Sequence, residues 1–220
     1  SQPVKKDPEI LIFPPATSTF SLSRHRPDIT FGIQNIHEEP QGAFTGEISA
    51  AMAAECATVA LIGHSERRHV FMETDDRINR KIKAALQAGL RPMLCVGEKL
   101  VERRLEKTES VVLNQLTTGL DGVDLSDLKQ LMVAYEPVWA IGTGLTATPE
   151  QAQTVHALIR QNLESMGLTD IPVLYGGSVK PENARELLTQ PDIDGLLIGG
   201  ASLQAENFSA IIALAYGLVG

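Results

Sequence analysis

Two cysteines, one tryptophan and a 5% aromatic share are the scarcest features of this 220-residue sequence. Cys56 and Cys95 form no CxxC pair, so a disulfide framework is not what holds the chain together, and a reducing cytoplasm is the expected setting. No apolar run approaches membrane-spanning length, and no apolar region of the length a signal peptide requires follows Lys5 and Lys6. Basic residues are also in deficit. With 19 Lys and Arg against 27 Asp and Glu, the net charge of −8 argues against general binding to nucleic acid or an anionic membrane. It leaves room for an anionic small molecule, because backbone dipoles bind phosphate inside an acidic protein. What remains is 43% hydrophobic and 21% charged, enough to bury a core. There is no internal linker, low-complexity stretch or composition shift, so a single domain over residues 1–220 is expected.

Short apolar, β-branched runs alternate with amphipathic stretches along the chain. Strands are expected near 10–13, 29–34, 58–62, 91–96, 131–135, 171–175 and 193–198, mostly apolar as in strands covered on both faces. Ile78, Ile82, Ala85 and Leu86 repeat at helical spacing over 75–88. Thr148-Pro149-Glu150-Gln151 reads as a cap with proline at the first helical position, ahead of Val155, Leu158, Ile159 and Leu163; Lys180-Pro181-Glu182 opens another helix in similar fashion. Repeated βα order implies a parallel sheet, either open and doubly wound or closed into a (β/α)8 barrel. Glycine turns after each of the last two strands, Gly176-Gly177-Ser178 and Gly199-Gly200, favour the barrel, where such loops recurrently build a phosphate site. The count gives seven strands. If the last two are the seventh and eighth, the first is missing.

On a barrel the chemistry lies at the C-terminal ends of the strands. His64 stands just past the 58–62 strand. A lone histidine is most often structural, but Ser65-Glu66-Arg67-Arg68 begins a short helix, and a helix N-terminus disfavours the imidazolium and keeps the ring neutral. Glu136 occupies the matching place after the 131–135 strand. Alone it would read as a solvated loop carboxylate; followed by Pro137-Val138-Trp139-Ala140-Ile141-Gly142-Thr143-Gly144, it sits at the root of a lid. A carboxylate shut away from water is suited to taking a proton from beside a carbonyl. The lid glycines lack the third glycine of a dinucleotide fingerprint, and no Walker lysine pattern occurs. Cys95 reads as a small buried residue and not a nucleophile.

The set Gln34-Asn35, Gly42-Ala43-Phe44-Thr45-Gly46-Glu47-Ile48-Ser49, the His64 segment, Cys95-Val96-Gly97-Glu98, the Glu136 lid, Tyr175-Gly176-Gly177-Ser178-Val179 and the glycines of 195–200 resembles the triosephosphate isomerase family, in family order from about Phe13 onward. That resemblance implies a TIM (β/α)8 barrel and interconversion of dihydroxyacetone phosphate and glyceraldehyde 3-phosphate, in glycolysis and gluconeogenesis. By it, Glu136 shuttles the proton between carbons, and neutral His64 polarises the carbonyl. Gly142, Ser178, Gly199 and Gly200 hold the phosphate through backbone N–H groups, and Glu66 supports the site. These roles are the family's known chemistry carried over on residue identity. No metal or organic cofactor is implied. The loop around Thr45 implies a homodimer, since in the family it inserts into the neighbouring subunit.

Two departures stand out. The family's first strand–helix unit, with its Asn-x-Lys motif, has no counterpart here, so seven of eight βα units are expected, along with poor activity for the chain as written. Leu145 replaces the lysine usual at the far hinge of the lid. The residues leave two alternatives open: a related isomerase of a slightly longer sugar phosphate, and a catalytically impaired phosphate-binding homologue.

Overall fold

The computed structural model describes residues 7–141 and 146–219. Among these, seven parallel strands form one curled sheet in sequence order: β1 (Leu11–Ile12), β2 (Thr30–Ile33), β3 (Val59–Ile62), β4 (Arg91–Val96), β5 (Met132–Tyr135), β6 (Val173–Tyr175) and β7 (Gly195–Leu196). Every neighbouring pair is parallel, and β1 and β7 are the two edges. This is the α/β barrel architecture of a TIM fold, and the doubly wound alternative is set aside, because strand order follows chain order without a reversal.

The strands alternate with α1 (Ala16–His25), α2 (Ala50–Ala54), α3 (Ser65–His69), α4 (Asp75–Gln87), α5 (Leu100–Arg104), α6 (Thr108–Leu120), α7 (Pro149–Ser165), α8 (Pro181–Leu188) and α9 (Ala205–Val219). Helix starts follow local chemistry. Thr148 accepts from the Gln151 N–H while the Gln151 side chain accepts from the Thr148 N–H, with Pro149 in the first turn, where no donor is needed. Thr74 caps α4, which buries Ile78, Ile82 and Ala85 against the sheet, as their spacing requires.

The central strands show why they read as continuous apolar runs. Val59 and Leu61, Met93 and Cys95, and Met132 and Ala134 point into the barrel, joined by Leu11, Phe13, Leu174 and Leu197. The alternate residues, Ala60 and Ile62, Leu94 and Val96, and Val133 and Tyr135, face the helices in a second and larger core. Both faces are buried, so no polar alternation survives. Edge strands β1 and β7 are shorter than the 10–13 and 193–198 expected, each having a hydrogen-bonding partner on one side. Among the described residues, no helix is long and apolar enough to cross a membrane.

Candidate active site

His64 and Glu136 leave the C-terminal ends of β3 and β5, with β4 between them. That neighbourhood brings together side chains far apart in sequence: Nε2 of His64 lies 3.1 Å from Oε1 of Glu136. His64 is the N-cap of α3, and its Nδ1 accepts the Glu66 N–H at 3.3 Å. With Nδ1 accepting, a neutral ring carries its proton on Nε2, directed at the carboxylate. Glu66 thus reaches the site through its backbone, its own side chain being exposed.

Glu136 is 2% exposed. Its oxygens accept the Ser65 N–H at 3.0 Å and the Ser65 hydroxyl at 3.2 Å. Burial lifts its pKa above the usual carboxylate range, opposed by His64, by both Ser65 donors and by the Cys95 thiol. A buried carboxylate of raised basicity, next to an imidazole N–H donor, can take a proton from carbon while the imidazole polarises the neighbouring oxygen. Cys95 is fully buried beside Glu136; burial, and after it the neighbouring carboxylate, holds its thiol well above the ordinary range and leaves it protonated.

Gly97 is what lets β4 and β5 approach here. A Cβ at this position would lie 1.7 Å from the Glu136 carbonyl oxygen. On the other side of Glu136, Gly176 packs against its Cγ. Glu98 then anchors the segment that follows Glu136. Its carboxylate is fully buried, accepting Trp139 Nε1 at 2.9 Å, the Tyr135 hydroxyl at 3.1 and 3.2 Å and Arg103 Nη1 at 3.2 Å. The Arg103 guanidinium also stacks over the Trp139 ring at 4.5 Å.

The proposed phosphate turns follow the next two strands, β6 and β7, and the first of them begins at Gly176 beside Glu136. Ser178 is half-buried after β6, and its carbonyl accepts from Asn183 Nδ2 at 3.0 Å, while Asn183 Oδ1 accepts the Lys180 N–H at 2.8 Å. One side chain thus fixes the turn to the start of α8. Gly199 and Gly200 are exposed after β7, opening a short 3-10 turn, with open space where a Cβ would stand. Gly142 and Leu145 lie outside the described residues. Thr45 is exposed in the loop between β2 and α2, well apart in sequence from the strand ends that carry the site.

A profile of the triosephosphate isomerase family matches residues 1–215. The chain belongs to the triosephosphate isomerase family. It is 51% identical to the triosephosphate isomerase of Geobacter metallireducens over 214 residues, covering 94% of this chain and 85% of that one. The Carboxydothermus hydrogenoformans enzyme is 52% identical over 190 residues, covering 84% and 76%. Among solved structures, the triosephosphate isomerase of Bartonella henselae superposes with a TM-score of 0.87 at 40% identity, over 95% of this chain and 87% of that one. The chain is accordingly a triose-phosphate isomerase by family, fold and relatives.

Three residues of the site escaped sequence reasoning. Ser65 was visible only as part of a helix start, yet it supplies two donors to Glu136. Glu98 carried one available signal: a carboxylate directly after an apolar strand and a glycine. Arg68 gave none, since its bonds are all to backbone carbonyls and to an aspartate seven residues on.

Proposed function

We propose that in this triose-phosphate isomerase Glu136 is the base that moves a proton between C1 and C2 of the triose phosphate. His64 donates from Nε2 to the substrate carbonyl and transfers protons between the two oxygens. The enediolate formed on the way carries its negative charge on an oxygen, where a fixed neutral donor in a dry site stabilises it most. Deprotonation at carbon, protonation at oxygen and the reverse on the neighbouring atoms balance without any cofactor.

Before reaction the carboxylate rests on Ser65, so it must exchange those two hydrogen bonds for contact with the substrate carbon. Backbone N–H groups of Gly142, Ser178, Gly199 and Gly200 hold the phosphate, and Glu66 supports His64. Residues 1–220 belong to one barrel domain, of which they supply seven βα units. The working unit is a homodimer, in which the Thr45 loop enters a second copy; exposed Phe44 beside Thr45, and exposed Val70, Phe71 and Met72 after α3, are apolar surface for such a contact. The setting is the cytoplasm, in glycolysis and gluconeogenesis.

The observation that carries this reading is the 3.1 Å contact between a buried carboxylate from β5 and an imidazole from β3 at the catalytic face. Glu136→Asp tests it. Withdrawing the carboxylate by roughly 1 Å should lower kcat by about a hundredfold with little change in KM. A variant altered in KM alone would make Glu136 a binding residue.

A further inference from the structure

The ladder between β3 and β4 stops one residue short of the chemistry. Its last register pair is Ile62 with Leu94, and the next residues are Gly63, immediately before His64, and Cys95, whose thiol touches Glu136. Beyond that pair the two strand ends are joined by a side chain. Arg68 is 8% exposed, its Nε donates to the Gly63 carbonyl at 2.7 Å, and its Nη2 donates to the Cys95 carbonyl at 2.9 Å. The third arm, Nη1, goes to the carboxylate of Asp75 at the start of α4. The Arg68 backbone N–H also donates to the His64 carbonyl at 3.0 Å.

We propose that Arg68 is a positioning residue for the isomerisation: its guanidinium sets the separation of the β3 and β4 ends, and through them the contact between His64 and Glu136. The link to Glu136 is short, because the Glu136 N–H donates to the carbonyl of Val96, the residue after Cys95. Gly63 takes part as well. Its φ is +76°, and a Cβ there would meet Arg68 Nη2 at 3.0 Å and the Cys95 carbonyl at 3.2 Å, so the guanidinium occupies the space a side chain would need.

Arginine is the residue the task requires. Two carbonyls on adjacent strands, both buried, need donors at a fixed spacing, and a planar fork supplies them while a lysine ammonium has no such geometry. The buried cation is in turn matched by Asp75, which is part-exposed and belongs to a different element from the carbonyls. Strand ends, α3 and α4 are thereby locked around one side chain.

This inference rests on the roles given to Glu136 and His64, and its test carries a readout that does not depend on turnover. Arg68→Lys keeps the charge and loses the fork. It should lower kcat about tenfold, less than the hundredfold of a 1 Å misplacement, with KM within about twofold. It should also shift the ring-nitrogen NMR resonances of His64. Asp75→Asn, at a less buried position, should produce the same changes to a smaller degree and serves where the lysine variant does not fold. A lowered melting temperature with kcat and the His64 resonances unchanged, in either variant, would overturn the proposal and leave Arg68 a structural residue. Were the catalytic roles themselves wrong, Glu136 variants would retain turnover, whereas the His64 resonances would still report on Arg68.

Discussion

Gly97→Ala is the smallest change that should reach the chemistry from outside the reacting groups. The new Cβ would stand 1.7 Å from the Glu136 carbonyl oxygen and 2.7 Å from its carbonyl carbon. Ordinary contact between such atoms is near 3.3 Å, so something must yield by about 1.5 Å. Gly97 is not free to do so. Its N–H donates to Gln115 Oε1 at 2.7 Å, and its carbonyl accepts from Gln115 Nε2 at 3.2 Å. The displacement therefore passes largely to the Glu136 backbone, and its carboxylate leaves the His64 contact. A shift of order 1 Å costs about a hundredfold in kcat, and overpacking costs about 1–3 kcal/mol in stability. Steady-state isomerisation of glyceraldehyde 3-phosphate, run beside denaturant unfolding, separates the two. Gly217→Ala, at an exposed position of α9 where nothing lies within 4 Å of a new Cβ, is the control and should leave kcat unchanged. A folded Gly97→Ala protein with wild-type kcat would refute the reasoning.

Two further outcomes follow from burial and backbone chemistry. His156 is fully buried, and burial pushes its pKa down to about 4, partly countered by the Asp192 carbonyl that its Nδ1 contacts. The unfolded chain binds this proton near the ordinary 6.5, so stability from this site is complete above about pH 6.5 and is lost as pH falls towards 4, by about 3 kcal/mol in all. Denaturant unfolding at pH 7 and 4.5 should show that loss, and His156→Gln should flatten it; an equal acid loss in the variant would assign it to other groups. At the phosphate turn, Ser178→Pro should weaken binding of an inorganic phosphate or phosphate-ester probe at least tenfold by removing an N–H, with Ser178→Ala much milder. Equal losses in two folded variants would put the contact on the hydroxyl.

The sequence was most legible where local chemistry and burial agree. Thr148, Pro149 and Gln151 announce α7 because a capping box is a local event. The β3, β4 and β5 runs are unmistakable because both of their faces are buried. The short extents of β1 and β7 were not readable, since they depend on which neighbours pair with them. For the site, His64 and Glu136 could be singled out by their positions after strands. Their 3.1 Å contact could not, because it depends on sheet order across a separation of more than 70 residues. Ser65 and Arg68 were hidden for different reasons: Ser65 meets a carboxylate 71 residues away in sequence, and Arg68 donates to backbone carbonyls, which leave no residue-type signature. Leu145 and Gly142, both read as lid residues, lie outside the described residues.

The central claim is that Glu136 carries the proton, and exchange with solvent tests it most directly. Dihydroxyacetone phosphate incubated with the protein in D2O and followed by proton NMR should give the aldose product with deuterium entering at the carbon that is reprotonated, because a carboxylate base exchanges its proton with solvent. Glu136→Gln keeps the shape of the side chain and removes its basicity. It should suppress both isomerisation and exchange by about a thousandfold while binding a phosphate-ester probe as the wild type does. Exchange persisting at the wild-type rate in Glu136→Gln would contradict the account and place the base elsewhere.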